Sequence, residues 1–281
     1  MKSKKNADLL ERKVDEVDFS IIDVETTGLS VEYGDRVCEV GIVRLRGGAV
    51  IETYSSLVNP QRPISAGAYA VNGISPSMVA GAPIFADIAG KVHTMIDGTV
   101  MGAYNAPFDL SFIEYEFRLA GYPSIKNTVV DVLVLARQLL PGLNRYPQEN
   151  VARAVGIPNP GRHRALEDAL VTAQLLTIFA SLMKVHDCPT IADLQRRDLG
   201  QVLKTKRWNI ITGAIETRKN LWIRYFSPMN AEITERILTP VAITENKPSF
   251  QSAVYLQAYC HTARADRNFR LDRILDVRVL E

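Results

Sequence analysis

The chain has few cysteines and few of the marks of export or membrane life. Its three cysteines, Cys38, Cys188 and Cys260, lie far apart and in no metal-ligating spacing. They give no disulfide framework and point to reduced thiols in a cytosol. No apolar run approaches the roughly 18–20 residues of a membrane helix. The opening MKSKKNADLLERKVDE is charged and lacks the apolar centre of a secretory signal. These absences lead to the expectation of a cytoplasmic, soluble chain without a membrane partner. There is no internal repeat, no low-complexity tract and no strong net charge, the formal balance being +2.

What is present is ordinary in bulk and uneven in detail. A hydrophobic content of 47% over 281 residues suffices for one large or two ordinary domains. Residues 16–186 hold 13 Lys/Arg against 17 Asp/Glu, a net of −4, whereas residues 200–281 hold 13 against 8, a net of +5. An acidic front half and a basic back half predict two domains with different partners. In the front half, FSIIDV reads as a buried strand, and residues 35–60 read as a hairpin about Arg46-Gly47-Gly48. Helices are expected over 83–97, 108–120, 129–140, 149–155 and 164–184, with a strand over 99–104. Past residue 186 come a short helix in IADLQRRD, another in 207–217, and then strands in LWIRY, RILTPVAI, VYLQAY and RNFRLDRILDVRV. The fold class expected is a mixed α/β sheet flanked by helices, followed by a small, mostly β domain.

Asp23 and Glu25 interrupt the first strand two residues apart, so their side chains share a face. Like charges held side by side are unfavourable unless a cation lies between them. Asp109 in NAPFDLSF falls at a helix start, where an acid also suits the helix dipole. Asp168 in HRALEDAL falls early on the long amphipathic helix, five residues after His163. Each carboxylate taken alone fits a solvated edge or a helix cap, and an isolated histidine is most often a surface residue. Four acids from three segments, each at a strand or helix start, can instead converge at one end of a sheet and hold hard divalent cations.

In that order, IIDVETTG, NAPFD and HRALED resemble the DEDDh group of 3′–5′ exonucleases, which includes the epsilon subunit of bacterial DNA polymerase III. The resemblance spans about residues 17–185 and implies an RNase H-like fold. It implies two divalent cations, Mg²⁺ or Mn²⁺, on Asp23, Glu25, Asp109 and Asp168, with His163 as general base. By position it places Thr26, Thr27, Asn72 and Phe108 near a single-stranded 3′ end. The chain departs from the family pattern at Asn72 and Tyr104, where histidine is frequent, and at Pro147 and Gln148. These departures bear on substrate preference: DNA is favoured, with RNA ends as the alternative. A regulatory protein using the nuclease fold as a scaffold is a further alternative. No polymerase-docking peptide is evident, so polymerase association stays open.

The strings KNLWIRYFSP, RILTPVAI, VYLQAYC and RADRNFRLDRI are similar to a WYL domain, with Val254-Tyr255-Leu256 at the signature and its tryptophan missing. That implies a small SH3-like barrel over 207–281, after a linker at 186–206, binding nucleic acid or a nucleotide-like effector. Arg264, Arg267, Arg270 and Arg273, with Tyr255 and Tyr259, supply guanidinium groups for phosphates and rings for bases. Tyr255, Arg267, Arg270 and Arg273 are the candidate ligand residues. Strand alternation would send Arg267 and Arg273 to the opposite face from Arg264 and Arg270, and Asp266 and Asp272 are possible ion-pair partners.

Overall fold

The computed structural model describes residues 8–158, 164–230, 232–245 and 253–281. The chain divides into two compact units, Met1–Val134 with Asn159–Thr177, and Leu135–Pro158 with Ile178–Glu281.

The first unit is built on a five-stranded sheet in the order β3-β2-β1-β4-β5, from β1 (Asp18–Thr26), β2 (Val37–Arg46), β3 (Ala49–Leu57), β4 (Val100–Ala103) and β5 (Val129–Asp131). The β1, β2 and β3 pairings are antiparallel; β4 runs parallel to both β1 and β5. Gly47 and Gly48 close the β2–β3 hairpin with φ of 56° and 81°, the left-handed pair that a two-residue turn requires. Helices α1 (Ala66–Asn72) and α2 (Pro76–Val79) follow β3; α3 (Phe85–Ile96) precedes β4 and α4 (Ala106–Leu119) follows it. Ile22, Val24, Val40 and Ile42 pack on one face against Phe85, Val92, Phe112 and Phe117 of α3 and α4. The expected helix over 129–140 begins instead as β5 and becomes helix only at α5 (Val132–Leu139). The apolar run VVDVLVL satisfies both periods, and pairing with β4 decides its first residues.

Helix α6 spans Gln148–Ala154, and α7 spans Ala165–Lys184. Contrary to the sequence expectation, α7 is by length and composition apolar enough to cross a membrane; half of that stretch is buried, as in the core helix of a globular fold. In the second unit, α8 (Ile191–Leu194) and α9 (Leu199–Glu216) precede an antiparallel sheet in the order β10-β6-β7-β8-β9. Its strands are β6 (Leu221–Ser227), β7 (Glu232–Glu245), β8 (Val254–Cys260), β9 (Ala265–Arg270) and β10 (Ile274–Val279). Leu221, Ile223, Leu238, Leu256 and Phe269 form its core with Ile211 and Ala214 of α9. The stretch 267–279, expected from sequence to be one strand, is broken by a short 3-10 turn at Leu271–Arg273.

Candidate active site

Asp23 and Glu25 share a face of β1, each opposite a residue of β2: Asp23 faces Gly41 and Glu25 faces Glu39. A Cβ on Gly41 would lie 2.3 Å from the backbone of Ala165. The absence of a side chain there lets the first turn of α7 lie directly on the sheet. Asp168, in that turn, thereby joins the strand acids. One oxygen from each of Asp23, Glu25 and Asp168 lies within 4.8 Å of the other two.

The helix start is clamped by a residue that sequence reasoning missed. Glu39, only 2% exposed, accepts from Arg164 Nη2 at 2.5 Å and Nε at 3.0 Å, and from the Ala165 N–H at 3.2 Å. A carboxylate thus satisfies one of the unpaired N–H groups of α7 and suits its dipole. A lone acid inside the apolar run VCEVGIV, two residues before a glycine, was the available signal.

Asp109 arrives from the other layer. Pairing between β1 and β4 stops at Ile21, so beyond it one edge of β1 is open. Asn105, in a left-handed conformation that asparagine tolerates, turns the chain from β4 into α4. Asp109, in the first turn of α4 and buried, then accepts the Val24 N–H at 3.0 Å. Glu116, buried on the same helix, takes both Arg36 Nε and Nη2 at 2.7 Å and ties α4 to the start of β2. Of the four acids expected to converge, Asp23, Glu25 and Asp168 form the close cluster. Asp109 is held on the flank of Asp23 by the backbone it supports.

The electrostatics follow from burial and crowding. Burial, then the charges of Asp109, Asp168, Glu25 and Glu39, push the Asp23 carboxyl well above the usual carboxylate range. Burial, then Asp168 and Glu39, push Glu25 up to about 7, against the hydrogen bond from Asn72 and the charge of Arg164. Burial pushes Asp109 up to about 8, opposed by the bond from Val24. Acids that resist ionising in one another's presence are stabilised by a cation, and an all-carboxylate donor set suits Mg²⁺ or Mn²⁺.

The other expected site residues fall less simply. His163 lies outside the described residues; Arg164, next in sequence, is the residue Glu39 holds. Asn72 is buried, donates to the Thr26 carbonyl at 3.3 Å and accepts from the Ile74 N–H at 3.0 Å, so it supports Glu25 and its strand rather than facing outward. Thr26 and Thr27 are buried too: the Thr26 hydroxyl bonds the Gly28 carbonyl at 2.6 Å and that of Thr27 bonds Asp35 Oδ1 at 3.1 Å. Their side chains are consumed by the β1–β2 connection, which leaves Leu29 and Tyr33 as its exposed apolar groups. Phe108 is half-buried, its ring 5.1 Å from that of Phe112.

In the second unit, Tyr255 and Arg270 are cross-strand neighbours, and Arg270 makes a two-point ion pair with Asp272 at 3.1 and 2.6 Å. Arg267 is exposed opposite Ala258. Arg273 lies in the 3-10 turn, its Nε buried without a hydrogen-bond partner. The strand break therefore removes Arg273 from the alternation expected of it.

The model of a family described as exonuclease matches residues 20–176, and that of the WYL domain matches residues 207–279. The DNA polymerase III subunit epsilon of Treponema pallidum is 36% identical over 57% of this chain and 75% of its own length. The PolC-type DNA polymerase III of Caldanaerobacter subterraneus is 37% identical over 57% of this chain, which spans only 11% of that protein. The 3′–5′ exonuclease DinG of Bacillus subtilis is 32% identical over 63% of this chain and 19% of its own. Among solved structures, Escherichia coli exonuclease I with single-stranded DNA superposes with a TM-score of 0.52 over 86% of this chain and 54% of that one. At 20% identity that likeness concerns the fold alone.

Proposed function

The chain belongs to the exonuclease family, and from that premise we propose that it removes nucleotides from the 3′ end of a nucleic acid strand, DNA in preference, as a cytoplasmic enzyme. The observation that carries this is the Asp23–Glu25–Asp168 cluster, with oxygens within 4.8 Å of one another. Two divalent ions bound there, Mg²⁺ or Mn²⁺, would supply an activated water and stabilise the leaving 3′ oxygen. The protein's own part is to present these carboxylates unprotonated and fixed. Asp23 and Glu25 are fixed by the sheet, and Asp168 by the Glu39–Arg164 clamp on α7. Asp109 steadies the end of β1 and adds its charge beside Asp23. His163 is assigned the proton of the attacking water, work that suits an imidazole near neutral pH. The exonuclease domain is taken as 17–185 and the connecting segment as 186–206. The WYL domain, 207–281, holds the polyanionic strand or a nucleotide-like effector.

The test is to incubate the purified chain with 5′-labelled single-stranded DNA and RNA in Mg²⁺ or Mn²⁺, beside EDTA and Asp168→Ala controls. Stepwise shortening from the 3′ end, abolished by both controls, is expected. Cleavage of neither strand by folded protein, or full activity in Asp168→Ala, refutes the proposal.

A further inference from the structure

One face of the second sheet carries the core, and alternation in an antiparallel sheet assigns polar residues to the other. Here the other face carries rings and an aliphatic side chain among its polar groups. In register across the strands, Arg278, Trp222 and Ile237 form one row, with His261 beside Ile237 through its N–H to the Ile237 carbonyl. The next row holds Thr239, Tyr259 and Asp266. Ile237 is 42% exposed and Tyr259 39%. The guanidinium of Arg278 lies 4.8 Å from the centre of the half-buried Trp222 ring, and the Tyr259 and His261 rings meet edge to face at 5.3 Å. The Thr239 hydroxyl bonds Asn220 Oδ1 and His261 Nε2, each at 2.8 Å, which fixes the imidazole in the patch.

The charge around these rings is mixed: Glu235, two residues from Ile237, and Asp276, two from Arg278, share the face, and exposed cations stand at its margin. Exposed Arg218 and Lys219 lie in the turn before β6, and exposed Arg264 in the turn before β9; Asp266 at the far edge is the acid of the row. Arg270, Arg273 and Arg278 are less available, the first being paired with Asp272, the second enclosed at its Nε and the third paired with Asp276 at 2.9 Å. Exposed rings with flexible cations at their margin match an unpaired nucleic acid strand, whose bases stack while its phosphates meet the cations. A protein partner would bury the same rings without needing the surrounding cations. We infer that the Trp222–Ile237–Tyr259–His261 face binds an unpaired nucleic acid strand, by stacking on its rings and by ion pairing with Lys219 and Arg218. The inference rests on the proposed activity only for the identity of the polyanion.

Trp208 and Trp222 are the two tryptophans of the chain, so a Trp208→Phe background leaves Trp222 as the fluorescent reporter on the patch. Oligodeoxythymidine and oligouridine are titrated in EDTA, which prevents hydrolysis. Expected is quenching of Trp222 by one or both. Tyr259→Ala weakens binding about tenfold without changing its salt dependence, whereas Lys219→Gln lowers the slope of log affinity against log salt by about one. Hydrolysis of the p-nitrophenyl ester of thymidine 5′-phosphate, a substrate of one nucleotide, reads the acidic site alone and is expected unchanged in Tyr259→Ala. No quenching by either oligonucleotide, or equal affinity in Tyr259→Ala and His261→Ala, overturns the inference even if the ester is hydrolysed. Oligonucleotide binding that needs Tyr259 supports it even if the ester is not hydrolysed, a result that would overturn the proposed activity instead.

Discussion

Glu39→Gln separates what the clamp does for stability from what it does for chemistry. Glu39 receives two guanidinium donors and one helix N–H. A hydrogen bond to a charged group contributes about 1.5–3 kcal/mol. The Arg164 side chain is 39% exposed, so screening brings the pair to the low end of that range or below. Against this loss, removing the Glu39 charge relieves a repulsion that both Asp23 and Glu25 feel. The two effects nearly offset, and the stability change expected is about 1 kcal/mol or less. The geometric effect has no such offset. The glutamine amide must turn its NH₂ toward either Arg164 or the Ala165 N–H, donor against donor, and the first turn of α7 shifts with Asp168 on it. A displacement of about 1 Å at a reacting centre costs on the order of 100-fold in rate. Steady-state hydrolysis at saturating Mn²⁺, with thermal unfolding followed by circular dichroism in EDTA, reads both quantities. A kcat equal to wild type, or a collapse of stability that accounts for the lost rate, would refute the assignment of Glu39 as a positioning residue.

Further outcomes follow from the same geometry. Glu25 and Asp109 have carboxyl groups raised to about 7 and about 8, against about 4 for the unfolded chain. The folded state therefore holds more protons between about pH 4 and pH 8, and metal-free stability is lost as pH rises through that window. The unfolding midpoint in EDTA is expected to fall from acid to neutral pH, less steeply in Glu25→Gln; an equal slope in both proteins would contradict the shift. Gly41→Ala sets a methyl 2.3 Å from the Ala165 backbone, and overpacking of this kind costs about 1–3 kcal/mol. Denaturant titration and kcat should both fall, and a neutral Gly41→Ala would mean that α7 does not need its close approach. Asn72→Ala removes the donor to the Thr26 carbonyl and the hydrogen bond that favours ionised Glu25. More Mn²⁺ should then be needed for half-maximal activity, and an unchanged Mn²⁺ titration would count against that role.

Much of the site is legible in sequence because strand alternation is a strong constraint. Asp23 and Glu25 had to share a face, and Asp109 and Asp168 had to stand at helix starts. The long-range contacts are what local patterns omit. Nothing near Glu39 names Arg164 as its partner 125 residues away, and only a fold that lays α7 over Gly41 brings them together. Thr26, Thr27 and Asn72 were placed by position along the chain, which says nothing of the direction a hydroxyl or amide takes. Their hydrogen bonds turn inward because the β1–β2 connection and the end of α1 need buried partners. The sequence extends a helix over β5 because a short apolar run carries both periods. The sequence of 267–279 predicts a continuous strand because a 3-10 break leaves little compositional trace.

The overhang of β1 beyond Ile21 has a practical consequence for trapping the enzyme on its substrate. An inactive variant serves that purpose only if it removes chemistry and leaves the scaffold where it was. Asp109 is the wrong residue to change, since its carboxylate is also the partner of the Val24 N–H. An Asp109→Ala protein would have one flank of the strand between Asp23 and Glu25 unsupported, and any complex it formed would report a displaced floor. Asp23→Asn keeps the shape of the side chain, leaves both neighbours of β1 in place and softens the crowding. It is the substitution by which a bound strand would be seen lying as it does in the working protein.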